Sequence, residues 1–370
     1  MTGPTDHLEA ALRHWRDRDP LAAALSDGVT WLSRGVLGQH LAAGRRVLRQ
    51  AGLDPDDRVA VLMPQGFEGA LVALQVASAC SLAPLRPGTP AERWQAMLAD
   101  LAPAALVLAA ESDPALAAAA AALAIPLLPA PTLLGAAACS PHSPAAASES
   151  SAAEPPEEPP DEPTAEPGIA IATSGTTGTP KWVQHAQSSL LRGCRATAES
   201  LALSAADRAL LALPLHHVHG LVSGLLMPLC SGGSVVVTER FEAAAALACI
   251  ADQEISWISL PPAMHQALLD QHRRTPLAAG HRLRFLRSGA ISLPPQLIAD
   301  LQAAFGVPVI EAYGMSECPH ICGNPIAAPR PGCVGKPVVE ELAIVDGEGR
   351  PLPPGRWGQV VVRGAPVMRG

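Results

Sequence analysis

Apolar positions along the chain alternate between helical stripes and short unbroken runs. Gly35 to Ala51 and Phe67 to Ala79 carry apolar residues at helical spacing, and Arg58 to Met63 (RVAVLM) between them has the length of a strand. Ala91 to Leu101 reads as a further helix and Ala105 to Ala109 as a further strand. Apolar strands alternating with helices predict a parallel sheet with crossover helices. The rhythm stops near Leu134 and resumes with a strand at Gly168 to Ala172, a Ser/Thr/Gly turn and a helix from about Gln187 to Leu201. Strands follow at Ala209 to Leu213, Ser234 to Thr238, Ser256 to Leu260 and Leu283 to Ser288. Residues 339–363 shift to short strands with turns at Asp346-Gly347 and Pro353-Pro354-Gly355. The expected fold is α/β, with two sheet-and-helix subdomains (1–135 and 168–335) and a small β-rich subdomain (336–370).

Composition changes this picture at one place, the segment 136–167. It is built of Ala, Ser, Pro and Glu with almost no large apolar side chain, so burial cannot offset its ordering entropy, and a linker or loop is expected. The net charge of the 370 residues is −8, and the acids of this segment account for nearly all of it. The rest is close to neutral, which disfavours nucleic acid and a charged membrane surface as partners. Eight cysteines without CxxC spacing in a chain of this size read as reduced thiols. The first residues lack an apolar signal region, and Pro126, Pro129 and Pro131 break the longest apolar stretch. A cytoplasmic protein is expected.

The string Thr173-Ser174-Gly175-Thr176-Thr177-Gly178-Thr179-Pro180-Lys181 directly follows an expected strand. Its hydroxyls, two close-approach glycines and a lysine form a cradle of donors suited to polyphosphate oxygens. It matches neither the P-loop nor a dinucleotide fingerprint. With aromatics at only 3% of the chain, Tyr313 is the single tyrosine and offers a flat face for stacking.

That string resembles the phosphate-binding signature of the adenylate-forming superfamily, which includes acyl-CoA synthetases, luciferases and peptide-synthetase adenylation domains. Leu213-Pro214-Leu215-His216-His217-Val218-His219-Gly220 resembles the family's acyl-pocket segment, and Arg287-Ser288-Gly289-Ala290 the strand end that flanks adenine. Glu311-Ala312-Tyr313-Gly314-Met315-Ser316-Glu317 resembles its Tyr-Gly-x-Thr-Glu signature, and Pro331-Gly332-Cys333-Val334-Gly335 follows as in the family. The resemblance spans about residues 25 to 370. It implies activation of a small carboxylic acid by ATP and Mg²⁺ as acyl-AMP, then transfer to coenzyme A. Lys181, Ser316, Glu317 and His217 are the expected catalytic residues, with Glu317 as the metal acceptor. Thr173 to Gly178, Lys181, Gly289, Ala290 and Glu311 to Ser316 are expected on the nucleotide, and His217, Ser288 and His320 on the acid.

Two features narrow the acid. Segment 214–220 holds no Asp to pair with an ammonium group, which disfavours an amino acid, and the motifs are nearest to oxalate-CoA-ligase-like short-chain ligases. Arg287 and His320 are candidates to meet a second carboxylate, although Arg287 reads equally as a structural residue at a strand end. His216, His217 and His219 lack a carboxylate or thiolate in their segment, and Cys318, His320 and Cys322 lack a partner pair, so zinc is disfavoured at both. Trp182 stands where the family has Gly, Ser316 replaces Thr, and His216 replaces a frequent Phe. The sequence stops at Gly370 in what reads as the middle of a β-element, so a truncated chain is expected. The resemblance then implies that the ribose-binding Asp, the hinge and a small C-terminal domain with a catalytic Lys lie beyond it. A carrier-protein phosphopantetheine as the acceptor, and a largely non-catalytic nucleotide or acyl-binding module, are the alternatives.

Overall fold

The computed structural model describes residues 7–62, 65–108, 113–135, 166–173 and 181–369. The chain opens with α1 (Leu8–Arg18), the antiparallel pair β1 (Ala23–Ser26) and β2 (Trp31–Ser33), and α2 (Arg34–Gln50). Then come β3 (Arg58–Leu62), α3 (Phe67–Ala77), β4 (Ser81–Pro84), α4 (Ala91–Leu101), β5 (Ala105–Leu108), α5 (Pro114–Ala122), β6 (Leu127–Pro129) and α6 (Ala130–Gly135). After the gap, β7 (Gly168–Thr173) and β8 (Lys181–Ala186) form a hairpin that leads into α7 (Gln187–Ser200). The second half runs through β9 (Arg208–Leu211), a π-helix (His219–Leu226), α8 (Met227–Cys230), β10 (Ser234–Val237), α9 (Ala243–Asp252), β11 (Trp257–Leu260), α10 (Pro262–Arg274), β12 (Phe285–Ser288) and α11 (Pro295–Phe305). It closes with β13 (Val309–Met315), β14 (Cys318–Gly323), β15 (Lys336–Pro337), β16 (Glu341–Val345) and β17 (Gln359–Arg363).

These strands make a six-stranded sheet, β6-β5-β3-β4-β7-β8, a nine-stranded sheet, β15-β14-β13-β12-β11-β9-β10-β1-β2, and the separate hairpin β16-β17. The apolar runs RVAVL, ALVL, SVVV and WISL supply strands that pair in parallel, as unbroken apolar strands must when both faces are covered. One face of the six-stranded sheet packs Trp94, Leu98 and Leu101 of α4 and Leu116 of α5. Its other face belongs to the main core, in which Val59, Leu82 and Ile171 share a cluster with α3 and with Leu210, Val235 and Ile258 of the nine-stranded sheet. Helix α3 is therefore buried along nearly its whole length between the sheets.

The sheets do not follow the sequence segments one for one. β1, near the start of 1–135, pairs with β10 and carries β2 at the edge of the nine-stranded sheet, whereas β7 and β8, at the start of 168–335, extend the six-stranded sheet. Pairing between strands far apart in sequence leaves no mark on local periodicity, so composition divides the chain more simply than the hydrogen bonds do. The expected linker 136–167 lies outside the described residues except at its end, where the Glu166 carboxylate accepts from the Ser188 amide (2.7 Å) and pairs with Arg369 (2.7 Å). No helix among the described residues is long and apolar enough to cross a membrane.

Candidate active site at the carboxyl ends of the strands

Strands β9, β11, β12 and β13 run parallel, and the segments leaving their carboxyl ends wall a cavity of about 700 Å³. A crevice at this end of a parallel sheet is where α/β folds place ligands. Leu213 to Pro214 and His217 to Gly220 enter after β9, Pro261 and Met264 after β11, and Arg287, Gly289 and Ala290 at the end of β12. Ala312 to Ser316 enter from β13. Three segments that are far apart in sequence, each singled out by its residue types, therefore meet at one place.

β13 makes this meeting possible by changing partners. It pairs in parallel with β12 up to Glu311, opposite Ser288, then runs antiparallel to β14 from Ala312 onward. The switch swings Tyr313 to Ser316 over the cavity mouth. Ala290 has φ = +78°, a left-handed conformation that costs a residue with a Cβ, and such strain is found at ligand sites. Glu311 itself is 4% exposed, and its carboxylate accepts from the Gly332 amide (2.7 Å), so it holds the 330–335 loop behind Tyr313. Gly335 is obligatory in that loop, since at φ = +89° an added Cβ would lie 2.2 Å from the Gly323 carbonyl.

One wall of the cavity carries a buried charge. Arg287 is 4% exposed, donates from Nη1 to the Ser259 hydroxyl (3.0 Å), and its Nε has no partner among the described residues. No carboxylate is paired with it among the described residues; burial lowers its pKa to about 10, which leaves it a cation at neutral pH. Since Arg287 donates to Ser259, the Ser259 proton is free to go to His219 Nε2 at 2.7 Å, which requires a neutral His219. Burial, then the charge of Arg287, lowers the His219 pKa to about 3. The same two causes, in the same order, lower His320 to about 3; it lies 2% exposed with Nε2 3.0 Å from the Ser223 hydroxyl of the cavity wall. His265, lowered to about 4 by burial, donates from Nε2 to the Arg287 carbonyl (2.9 Å). A lone guanidinium thus sits among neutral imidazoles.

The remaining expected residues fall as follows. His217 is exposed and lines the cavity, and its ring lies 4.3 Å from that of His216, whose pKa burial lowers to about 4. Ser288, only 1% exposed and with a hydroxyl unpartnered among the described residues, is not in the wall, and His320 reaches it only through Ser223. Ser174, Gly175, Thr176, Thr177 and Gly178 lie outside the described residues. Their flanks, Thr173 and Lys181, pair in register at the mouth of the β7–β8 hairpin, with Lys181 exposed. Glu317 is half-buried, and its carboxylate has no hydrogen bond or ion pair among the described residues. Among those residues no cluster of His, Cys, Asp and Glu forms a metal site. Ser223, Ser259 and His265 were not expected at the site, and His219 was read only as part of the 213–220 pocket segment, without a role of its own. Ser259 faces Arg287 only because β11 and β12 are in register at this pair, which no local pattern encodes.

Known proteins resemble this chain over most of its length. An oxalate–CoA ligase of Arabidopsis thaliana is 34% identical over 98% of this chain and 71% of its own length. A sulfoacetate–CoA ligase of Cupriavidus necator is 38% identical over 55% of the chain and 40% of its own length. Among solved structures, ATP-bound MatB from Rhodopseudomonas palustris superposes with a TM-score of 0.84 at 24% identity, covering 99% of this chain and 71% of that one, which establishes the shared fold. The sequence matches the AMP-binding enzyme family over residues 12–370, and the chain belongs to that family.

Proposed function

We propose that this chain activates a small carboxylic acid with ATP and passes the acyl group to coenzyme A. The observation that carries this reading is the convergence of the 213–220, 287–290 and 312–316 segments on one cavity beside the β7–β8 hairpin. In the first step a carboxylate oxygen attacks the α-phosphorus and the bond to the bridging oxygen breaks, giving acyl-AMP and pyrophosphate. In the second, the coenzyme A thiolate attacks the acyl carbon and AMP leaves. Lys181 and the hydroxyls of 173–177 hold the polyphosphate, Gly289, Ala290 and Tyr313 take the adenine, and the Ser316 hydroxyl meets the α-phosphate. A half-buried carboxylate without a partner among the described residues fits Mg²⁺, which prefers one carboxylate with phosphate oxygens and water, so Glu317 is the residue to hold it. When bound, the metal neutralises phosphate charge.

Arg287 narrows the acid. A buried guanidinium without a carboxylate is costly unless a ligand supplies the anion. An acid with a second anionic group meets that need, and the oxalate–CoA and sulfoacetate–CoA ligases among the relatives are named for such acids. Free thiols at all seven described cysteines support a cytoplasmic setting. The test is pyrophosphate release over short monoacids, diacids and sulfonated acids, with products identified by mass spectrometry. Acyl-CoA from a dianionic acid, with the matching monoacid at least about tenfold poorer, is the expected result. Equal use of both would remove Arg287 from substrate selection, and acyl transfer only to a carrier protein would remove coenzyme A.

A further inference from the structure

β8 follows the hydroxyl-rich string and is the edge strand of the six-stranded sheet, paired among the described residues with β7 alone. An edge strand is held by ladder hydrogen bonds on one side only. Lys181, Val183 and His185 share one face of β8, and burial increases along it, with Lys181 exposed and Val183 and His185 buried. The His185 Nε2–H donates to the Ser316 carbonyl at 2.6 Å. Ser316 belongs to the nine-stranded side of the cavity, so this bond crosses from one sheet to the other at the site. Burial holds His185 neutral, and its Nδ1 has no partner among the described residues, so the ring is committed to this contact.

The same junction is closed from a third direction. The Met368 amide donates to the Glu317 carbonyl (2.8 Å) and the next amide, Arg369, to the Gln184 carbonyl (2.8 Å). Adjacent residues of one segment therefore bridge the neighbours of Ser316 and His185.

We propose that His185 is a positioning residue that locks β8, and with it Lys181, against the Ser316–Glu317 turn, so that both nucleotide-contacting segments hold one spacing. The proposal rests on the reading of Lys181 and Ser316 as nucleotide contacts. His185 touches no substrate, and its effect falls on MgATP rather than on the acid, which the β11, β12 and π-helix side of the cavity meets.

The experiment compares wild type, His185→Gln, His185→Asn and His185→Leu in acid-dependent ATP–pyrophosphate exchange, with Tm measured for each. Glutamine places an amide nitrogen where imidazole Nε2 lies, whereas asparagine reaches only as far as Nδ1. The expected result is a KM for MgATP near wild type in the Gln variant and raised about tenfold in the Asn and Leu variants, the effect of one lost buried hydrogen bond, with the acid KM little changed. Tm losses in Asn and Leu with an unchanged MgATP KM, or a Gln variant no better than Asn, would overturn the positioning role. Should the Leu variant not fold, the Gln–Asn pair decides. No exchange in wild type with any acid would overturn the nucleotide reading itself, and the proposal with it.

Discussion

At the scale of single residues, the site divides into groups aimed at charge and groups that hold them. On the proposed reading, replacing Lys181 or Glu317 by alanine removes a phosphate-facing cation or a metal acceptor. Each should cost about 2 to 4 kcal/mol of transition-state stabilisation, read as a loss of pyrophosphate release. Unchanged release in both would sink the nucleotide assignment. Arg287 tests a different balance, because a buried unpaired charge that serves a ligand is a burden to the free protein. Arg287→Met keeps much of the volume, and it should leave stability to urea unchanged or raised while the KM for a dianionic acid rises at least about tenfold. A large stability loss with an unchanged KM would return Arg287 to a structural role. Tyr313 and Ser316 were legible as lining residues because each sits in a compact string. Ser259 and Ser223 were not, since a serine in a strand or helix gains meaning only from the Arg287 or His320 across from it.

Among the elements, the strands and helices read most clearly were those with unbroken apolar runs or strong stripes. Ala91–Leu101 coincides with its expected bounds, and Arg58–Leu62 covers all of its expected strand that is described. The segment after His216 was not legible as a helix. Residues 219–226 form a π-helix, which carries His219 and Ser223 to the same cavity, an arrangement common at functional sites. Its first turn depends on Gly220, where an added Cβ would lie 2.3 Å from the Pro214 carbonyl oxygen. That neighbour is backbone and cannot rotate away. Gly220→Ala should therefore lower stability by about 1 to 3 kcal/mol and disturb both polar contacts of the π-helix. The check is urea denaturation alongside the acid KM; wild-type values of both would mean that the 214–220 turn yields easily.

For the whole molecule, local patterns recovered the α/β class but not the interleaving of the two sheets, because β1 and β8 join sheets whose other strands lie mostly in the opposite half of the sequence. On the nine-stranded side, elements far apart in sequence bury titratable groups together. His219, His265 and His320 are the consequence, with pKa values lowered from 6.5 to about 3, 4 and 3. Below 6.5 the unfolded chain takes up protons that the folded chain refuses, so unfolding gains with each step of acidification. The stability these histidines preserve is complete above pH 6.5 and is lost as pH falls toward their folded values. The limiting slope is about 1.4 kcal/mol per pH unit for each group. Exposed carboxylates begin to protonate only near about pH 4, which leaves a window in which histidines dominate. Urea midpoints should hold steady from about pH 8 to 7 and fall steeply between about pH 6 and 5, and the steep limb should be shallower in His265→Gln, whose amide can still donate to the Arg287 carbonyl. A midpoint that stays level through about pH 5 would mean that these imidazoles take up protons in the folded state, and that the wall around Arg287 is wetter than its packing indicates.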